Sequence, residues 1–342
     1  YIIKVYKDFE SARNLKEQAQ PLLSNRTLQT FWNDSGKDYV NFLQDDSDDW
    51  MKEYPSGMVR DKANIFISNL VRKPIIAQVS AQNKNQVTDR VVARALRALL
   101  EYAVLNDGRP DSSGHQKETR ATHKQVTEGT CHKLLTINDD KEIESEIIQN
   151  EEVFIPTFFQ PNLQKLTHFL WVKQNITYEE SKMEFGHLER FKSVMPGNQW
   201  MFTDHALKPT ESRVKNDTVL IIRAWYPVPG KKRQKYFNVL INGVPMFDIE
   251  NKDVFRHGYY PISKRIFEML DESYYWGNSI GNKMRFDKKF ASAIRTLIIA
   301  GEKLDIFPPQ VAEDGLTIDA DMFVPGKTTS ITGKAEQIKR LG

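Results

Sequence analysis

The most regular hydrophobic periodicity lies in residues 89–105, where Val92, Ala95, Leu96, Leu99 and Ala103 recur at three- and four-residue steps with Val91 and Leu100 beside them. That spacing predicts an amphipathic helix, capped by Thr88 or Asp89 and followed by Gly108. Arg90, Arg94 and Arg97 occupy its other side and read as a solvated face. A second helical pattern begins near Asp287, with Phe286, Phe290, Ile294, Leu297, Ile298 and Leu304 in register, and stops near Ile306 because Pro308 and Pro309 cannot continue it. Residues 58–76 predict a helix ended by Pro74, and residues 261–276 predict another, opened by Pro261, with Ile262, Ile266, Met269 and Leu270 on one face. Thr177 and Glu180 form a capping box at the start of a short helix that ends near Gly186.

Strand patterning is clearest over residues 218–247. Residues 219–226 are β-branched and aromatic, Pro229 and Gly230 turn the chain, residues 236–241 return, and Asn242-Gly243 is a hairpin signal ahead of residues 244–247. The expectation is a three-stranded antiparallel meander. Residues 154–171 mix aromatics with Pro156 and Pro161 and suit strand and loop, residues 107–120 are loop-like, and residues 142–152 read as an acidic helix or turn. No internal repeat is visible, which argues against solenoids and propellers. The fold class is therefore α+β, with a helical part, a small antiparallel β meander, a long helix and short strand-like runs after residue 307.

Composition adds bounds. The 342 residues carry 48 Lys and Arg against 45 Asp and Glu, a net charge of +3, and 40% are apolar, as in ordinary globular chains. The length suggests roughly two domains. No stretch approaches the ~20 apolar residues that a membrane span requires, so no membrane partner is expected. The lone Cys131 cannot form an internal bridge, which fits a reducing compartment. A start at Tyr1 without a signal peptide reads as a piece of something longer.

Candidate chemistry is sparse. Gly277-Asn278-Ser279-Ile280-Gly281 matches the Gly-x-Ser-x-Gly elbow of serine hydrolases, but a helix is expected before it, and the last histidine, His257, precedes the serine instead of following it. Gly326-Lys327-Thr328 resembles the end of a phosphate loop, yet Asp321 stands where its first glycine belongs. His115, His123, Cys131 and His132 match no zinc spacing, and the Asp45, Asp46, Asp48 and Asp49 cluster matches no calcium loop. The expectation is no enzymatic activity, no cofactor and no metal. On the last helix, Lys288 and Arg295 lie seven residues apart on one face, with Arg285 and Ser292 beside them. Such a stripe suits a path for backbone phosphates, although Glu302 dilutes it and, taken alone, the stripe reads as a solvated helix face.

The order of several segments resembles the portal proteins of tailed bacteriophages, in particular those of podovirus-like and crAss-like phages. They are Tyr54-Pro55-Ser56-Gly57-Met58, residues 69–78, residues 125–130, Phe154-Ile155-Pro156, Arg223-Ala224-Trp225-Tyr226 and the Asn242-Gly243 hairpin. Tyr260-Pro261-Ile262, Tyr275-Trp276-Gly277-Asn278-Ser279, the amphipathic helix and Phe307-Pro308-Pro309 complete the series, which covers most of residues 50–325.

The resemblance implies an N-terminal polar segment over residues 1–50, a wing domain over 51–260, a helical region over 261–306 whose stem helix spans about 287–306, and the start of a clip domain over 307–342. It implies a dodecameric ring at one capsid vertex, assembled in the host cytoplasm and carried in the virion. Double-stranded DNA passes through the ring, and the major capsid protein, the terminase packaging motor and the head-tail adaptor proteins are its partners. Arg285, Lys288 and Arg295 become candidates for the DNA channel. Phe267, Tyr274, Tyr275 and Trp276, as more aromatic surface than one short helix can bury, become candidates for the subunit interface together with Phe290 and Ile294. Two other readings are a nonspecific nucleic-acid-binding module using Arg90, Arg94 and Arg97, and a serine hydrolase using Ser279.

Overall fold

The meander forms as its alternation predicts, as one side of a larger five-stranded sheet. The computed structural model describes residues 1–40, 56–72, 79–83, 86–105, 114–137, 143–196, 200–203, 206–209, 217–227, 235–248, 259–306, 310–312 and 338–340. In chain order the first elements are α1 (Ile2–Glu17), α2 (Leu28–Val40), α3 (Met58–Val71), α4 (Val87–Leu105) and α5 (Gly114–Glu128). There follow β1 (Thr130–Ile137), β2 (Ile143–Ile148), β3 (Val153–Phe154), β4 (Phe169–Thr177), α6 (Tyr178–Phe185), β5 (Trp200–Thr203) and β6 (Ala206–Pro209). The remainder comprises β7 (Thr218–Pro227), β8 (Lys235–Ile241), β9 (Val244–Pro245), β10 (Ile262–Ile266), β11 (Glu268–Met269), β12 (Gly277–Asn278), α7 (Ile280–Lys283), α8 (Arg285–Ile306), β13 (Gln310–Ala312) and β14 (Ile338–Arg340). This is a mixed α+β protein with small antiparallel sheets.

The chain divides into two compact units, one of Tyr1–Asn33 with Ile65–Ile280, the other of Asp34–Asn64 with Gly281–Gly342. In the first, the main sheet has the order β3-β4-β7-β8-β9, all antiparallel. β7 is buried on both faces, which explains why residues 219–226 read as a continuous apolar run. Ile222, Ala224 and Tyr226 face α1, where Val5, Tyr6, Phe9 and Ala12 cover them. On the opposite face, Trp225, Phe169 and Trp171 meet Phe31, Trp32, Tyr275 and Trp276, while Val219, Ile221, Val239 and Ile241 meet Phe185, Phe191 and Val194. Asn242 and Gly243 take positive φ of 45° and 84°, the left-handed pair that a two-residue hairpin needs. The Thr177–Glu180 capping box is present in both directions.

Three readings of the sequence are corrected. Residues 261–276 contain no helix: β10 pairs with β1, Ile262 opposite Leu134 and Ile266 opposite Thr130. Residues four apart lie on one face of a helix and also on one face of a strand, so Ile262 and Ile266 alone do not separate the two. Residues 143–148 form β2 against β1, with the Asn150–Glu152 turn after it, because pairing overrides the helix preference of glutamate. Residues 114–128, assigned in part to a loop, form α5. That helix buries Lys117, Lys124 and Thr122 beside Ala121 and Val126, so no apolar stripe announces it.

Gly129 and Gly277 lie back to back. Gly129 has φ +85°, and a Cβ at either glycine would run into the other's carbonyl oxygen. The Thr130 hydroxyl oxygen accepts from the Gly277 N–H at 2.7 Å, and the Gly129 carbonyl accepts from the Phe267 N–H at 2.9 Å. This backbone crossing accounts for the first glycine of the Gly-x-Ser-x-Gly motif without any catalytic role.

Candidate assembly surface and nucleic-acid path

In the second unit, α8 is packed the opposite way from an ordinary amphipathic helix. Phe286, Phe290 and Leu297 are 83%, 70% and 69% exposed, and Ile294 and Ile298 are exposed beside them. Lys288 and Ser292, on the other side, are only 5% and 4% exposed. The polar side is held by α2: the Arg285 guanidinium meets the Asp34 carboxylate at 2.9 Å, and the Lys288 ammonium meets Asp38 at 2.7 Å. Asp34 and Asp38, one helical turn apart, match Arg285 and Lys288 at three-residue spacing. Gly281 sits against the same turn, where a Cβ would approach Asp38 Cβ at 3.2 Å and the Ser35 carbonyl at 3.3 Å.

The three basic candidates therefore separate. Lys288 is corrected: a buried ammonium bound to Asp38 cannot line a channel in this arrangement. Arg285 is half-buried and engaged by Asp34, and Arg295 is exposed. Removing one member of a buried ion pair leaves the other desolvated, at a cost of about 3–5 kcal/mol. Lys288→Ala is expected to destabilise the second unit by an amount near the low end of that range, and adding Asp38→Leu should recover most of it. Urea unfolding of the single and double variants measures both; a neutral single variant would show that Asp38 does not depend on Lys288.

The interface candidates also separate. Phe290 and Ile294 are exposed on α8, and Phe267 is half-buried, its ring edge-on to Phe66 at 5.7 Å. Tyr274, Tyr275 and Trp276 are corrected: all are 2% exposed or less, and they belong to the core of their own unit. The expectation that a small helix leaves them uncovered fails because no helix is there. Trp276 packs edge-on to Trp32 at 4.9 Å, and Tyr274 edge-on to Phe158 at 6.0 Å.

Tyr275 also completes a buried polar chain that sequence reading missed. Asn150 donates its two amide hydrogens to Glu128 Oε2 and to the Thr130 carbonyl, both at 2.7 Å, so its Oδ1 accepts from His132 Nδ1–H at 3.0 Å. His132 Nε2 then accepts from the Tyr275 hydroxyl at 2.9 Å. Burial holds the imidazole neutral, lowering its pKa to about 3, an effect reinforced by the surrounding Lys264, Lys124 and Lys16. Lys124 neutralises Glu128 at 2.9 Å. The only sequence signal was a histidine in a strand whose other residues are ordinary; the partners lie 18 and 143 positions away.

In the first unit, α4 is exposed almost all round. Val87, Val91, Val92, Leu96, Leu99, Leu100 and Tyr102 are uncovered, and only Ala93 is buried among its residues with described side chains. Arg90, Arg94 and Arg97 are exposed on its remaining side, with Arg97 paired to Glu101 at 2.8 Å.

The hydrolase constellation does not assemble. A short strand, β12, precedes Ser279, instead of the helix expected, but Ser279 is fully buried and presents no hydroxyl to a substrate. Among the described residues no group of three His, Cys, Asp or Glu side chains is placed to hold a metal. Cys131 is buried, and desolvation pushes its thiol up to about 12. A cavity of about 280 Å³, lined by Leu22, Phe159, Asp271 and Tyr274 among others, offers one carboxylate, which accepts from the Ser273 N–H at 2.8 Å. Gly326-Lys327-Thr328, Asp321, the aspartates of residues 45–49 and Phe307-Pro308-Pro309 lie outside the described residues. Among the described residues no helix is long and apolar enough to cross a membrane. No protein-family model and no curated protein matches the chain.

Proposed function

We propose that this chain is a subunit of a tailed-phage portal: a closed ring at one capsid vertex through which double-stranded DNA enters and leaves, with α8 as the stem helix. The observation that carries the reading is the outward apolar face of α8. A helix that seals its charged side inward and leaves Phe286, Phe290 and Leu297 in solvent is suited to a neighbour that covers them. A ring built from one kind of subunit needs two different complementary surfaces, and α4 and α8 supply two apolar faces of different composition. The channel role then falls to Arg295, which is exposed on α8 whereas Lys288 is buried. Contacts of this kind would address backbone phosphates and not bases, so DNA binding would be salt-sensitive and independent of sequence.

Negative-stain imaging and sedimentation of the full-length protein test the reading. The expected result is a ring with a central hole; a monomer at all concentrations that binds DNA would replace it with the nucleic-acid module. Arg295→Glu is expected to leave folding and ring formation intact, since an exposed substitution changes stability by about 0.5 kcal/mol or less, while lowering the number of DNA-filled capsids. Normal filling would remove Arg295 from the channel.

A further inference from the structure

We infer that the cavity beside Tyr274 is a binding site for a guanidinium or ammonium group on an apolar stem, about the size of one basic side chain. The cavity lies wholly within the first unit, between the loop that follows α1 and the turn ahead of β12, and the inference does not depend on the ring. Its volume of about 280 Å³ falls just below the ~300–1,000 Å³ of most small-molecule sites, so it takes a side-chain-sized group and not a nucleotide. The site is preformed. The Gln20 N–H donates to the Arg26 carbonyl at 2.9 Å and closes the first loop, where Ser24 and Asn25 both have φ of 57°. The Tyr274 N–H donates to the Asp271 carbonyl at 3.2 Å, and the Tyr275 N–H to the Phe158 carbonyl at 2.7 Å, which fixes the other side.

The polar groups select a cation. Asp271 Oδ1 accepts from the Ser273 N–H at 2.8 Å and from the Ser273 hydroxyl, which leaves Oδ2 without a partner among the described residues. Those two bonds also hold the carboxyl below its ordinary pKa, so it is charged at neutral pH. Gln20 is only 7% exposed; its Nε2 donates to the Gln18 carbonyl at 3.3 Å, and its Oε1 has no partner among the described residues. The cavity thus offers a ligand one negative charge and two acceptors, and no lysine or arginine lines it. Lys16 and Arg26, which flank the first loop, are committed to the carbonyls of Asn150 and Glu151 and of Leu23. The ligand must therefore bring both the positive charge and the donors. The other walls are apolar: Leu22, and the rings of Phe159 and Tyr274, whose centroids are 5.9 Å apart with planes at 68°. A guanidinium stacks on aromatic rings of this kind while its N–H fork reaches a carboxylate. Its stem would cover Leu22 and Phe159, both exposed in the single chain.

Ligand-observed NMR titration of the full chain tests the site with three probes: acetyl-arginine amide, acetyl-citrulline amide, which has nearly the same shape without the charge, and phenethylammonium. The expected result is saturable binding of the arginine probe, binding of the citrulline probe at least about tenfold weaker, and a loss of at least about tenfold for the arginine probe on Asp271→Asn. Asparagine keeps the turn to Ser273 and removes the charge, so unaltered circular dichroism should accompany that loss. Phe159→Ala, at an exposed position, is expected to weaken the arginine probe several-fold while leaving the urea midpoint in place. Phenethylammonium that displaces the arginine probe and binds more tightly assigns the cationic site to free amines; weaker binding assigns it to a basic side chain of a partner polypeptide. No saturable binding of either cation, equal binding of the citrulline probe, or an affinity that Asp271→Asn does not change overturns the inference. The portal reading stands or falls separately, on ring formation.

Discussion

Wild-type protein is expected to lose about 2 kcal/mol more stability than the His132→Gln variant when the pH falls from 7 to 5. In the folded chain His132 is buried, bonded on both nitrogens, and its pKa lies near 3; in the unfolded chain it returns to the ordinary value of about 6.5. The unfolded state therefore takes up a proton first as pH falls. Stability from this group is complete above about pH 6.5 and is lost by about 1.4 kcal/mol per pH unit on the way down to about 3. Glutamine removes the titration and keeps one donor and one acceptor. His132→Ala is expected to cost about 3–5 kcal/mol at neutral pH, because it opens a cavity and leaves both the Tyr275 hydroxyl and Asn150 Oδ1 without their partner. Tryptophan fluorescence reports the transition directly, since Trp32, Trp171, Trp225 and Trp276 share the core around this chain of hydrogen bonds. Parallel pH profiles for wild type and His132→Gln would show that the imidazole is not held neutral.

The second large effect is on assembly. In the ring proposed above, Phe290→Glu with Leu297→Glu is expected to leave each subunit folded and to prevent its assembly, giving monomers. Both side chains are exposed in the single chain, so their replacement changes its stability little. In an assembly that covers them, each lost apolar side chain forfeits about 1.5–3 kcal/mol and each buried carboxylate adds a desolvation cost. At 1.4 kcal/mol per factor of ten, association falls by at least about three orders of magnitude. Sedimentation at equal subunit concentration reads the change, and unaltered circular dichroism and urea midpoints separate it from unfolding. Rings formed by the double variant would show that this face of α8 is not an interface. The same experiment on Tyr275→Ala and Trp276→Ala has the opposite signature: these variants should unfold the subunit, because both side chains are part of its core.

Local patterns determined much of the architecture. Period-3.6 stripes placed α4 and α8 to within about two residues of their ends, the Thr177–Glu180 box placed α6, and the Asn242-Gly243 turn with its flanking alternation placed β7, β8 and β9. These signals are legible because each is satisfied by residues close in sequence. Where an element is stabilised by distant partners, the pattern misleads: β10 and β2 exist because β1 pairs with both, and α5 is held by ion pairs and hydrogen bonds that leave no apolar stripe.

The same distinction governs the candidate site. The amphipathicity of α8 is a property of its sequence, and so is the presence of Lys288 and Arg295 on one side of it. Which side faces inward is not, because an apolar stripe carries no record of what covers it. Asp34 and Asp38, some 250 positions earlier, draw the basic side in, since a charged group leaves water only where an opposite charge meets it. Packing likewise moved Tyr274, Tyr275 and Trp276 from expected surface to core: once β10 replaces a helix, the chain after it folds onto Trp32 and Phe158. The periodicities and the turns were present in the order of residues; the direction in which each face points was decided by charges and rings that only the tertiary structure brings together.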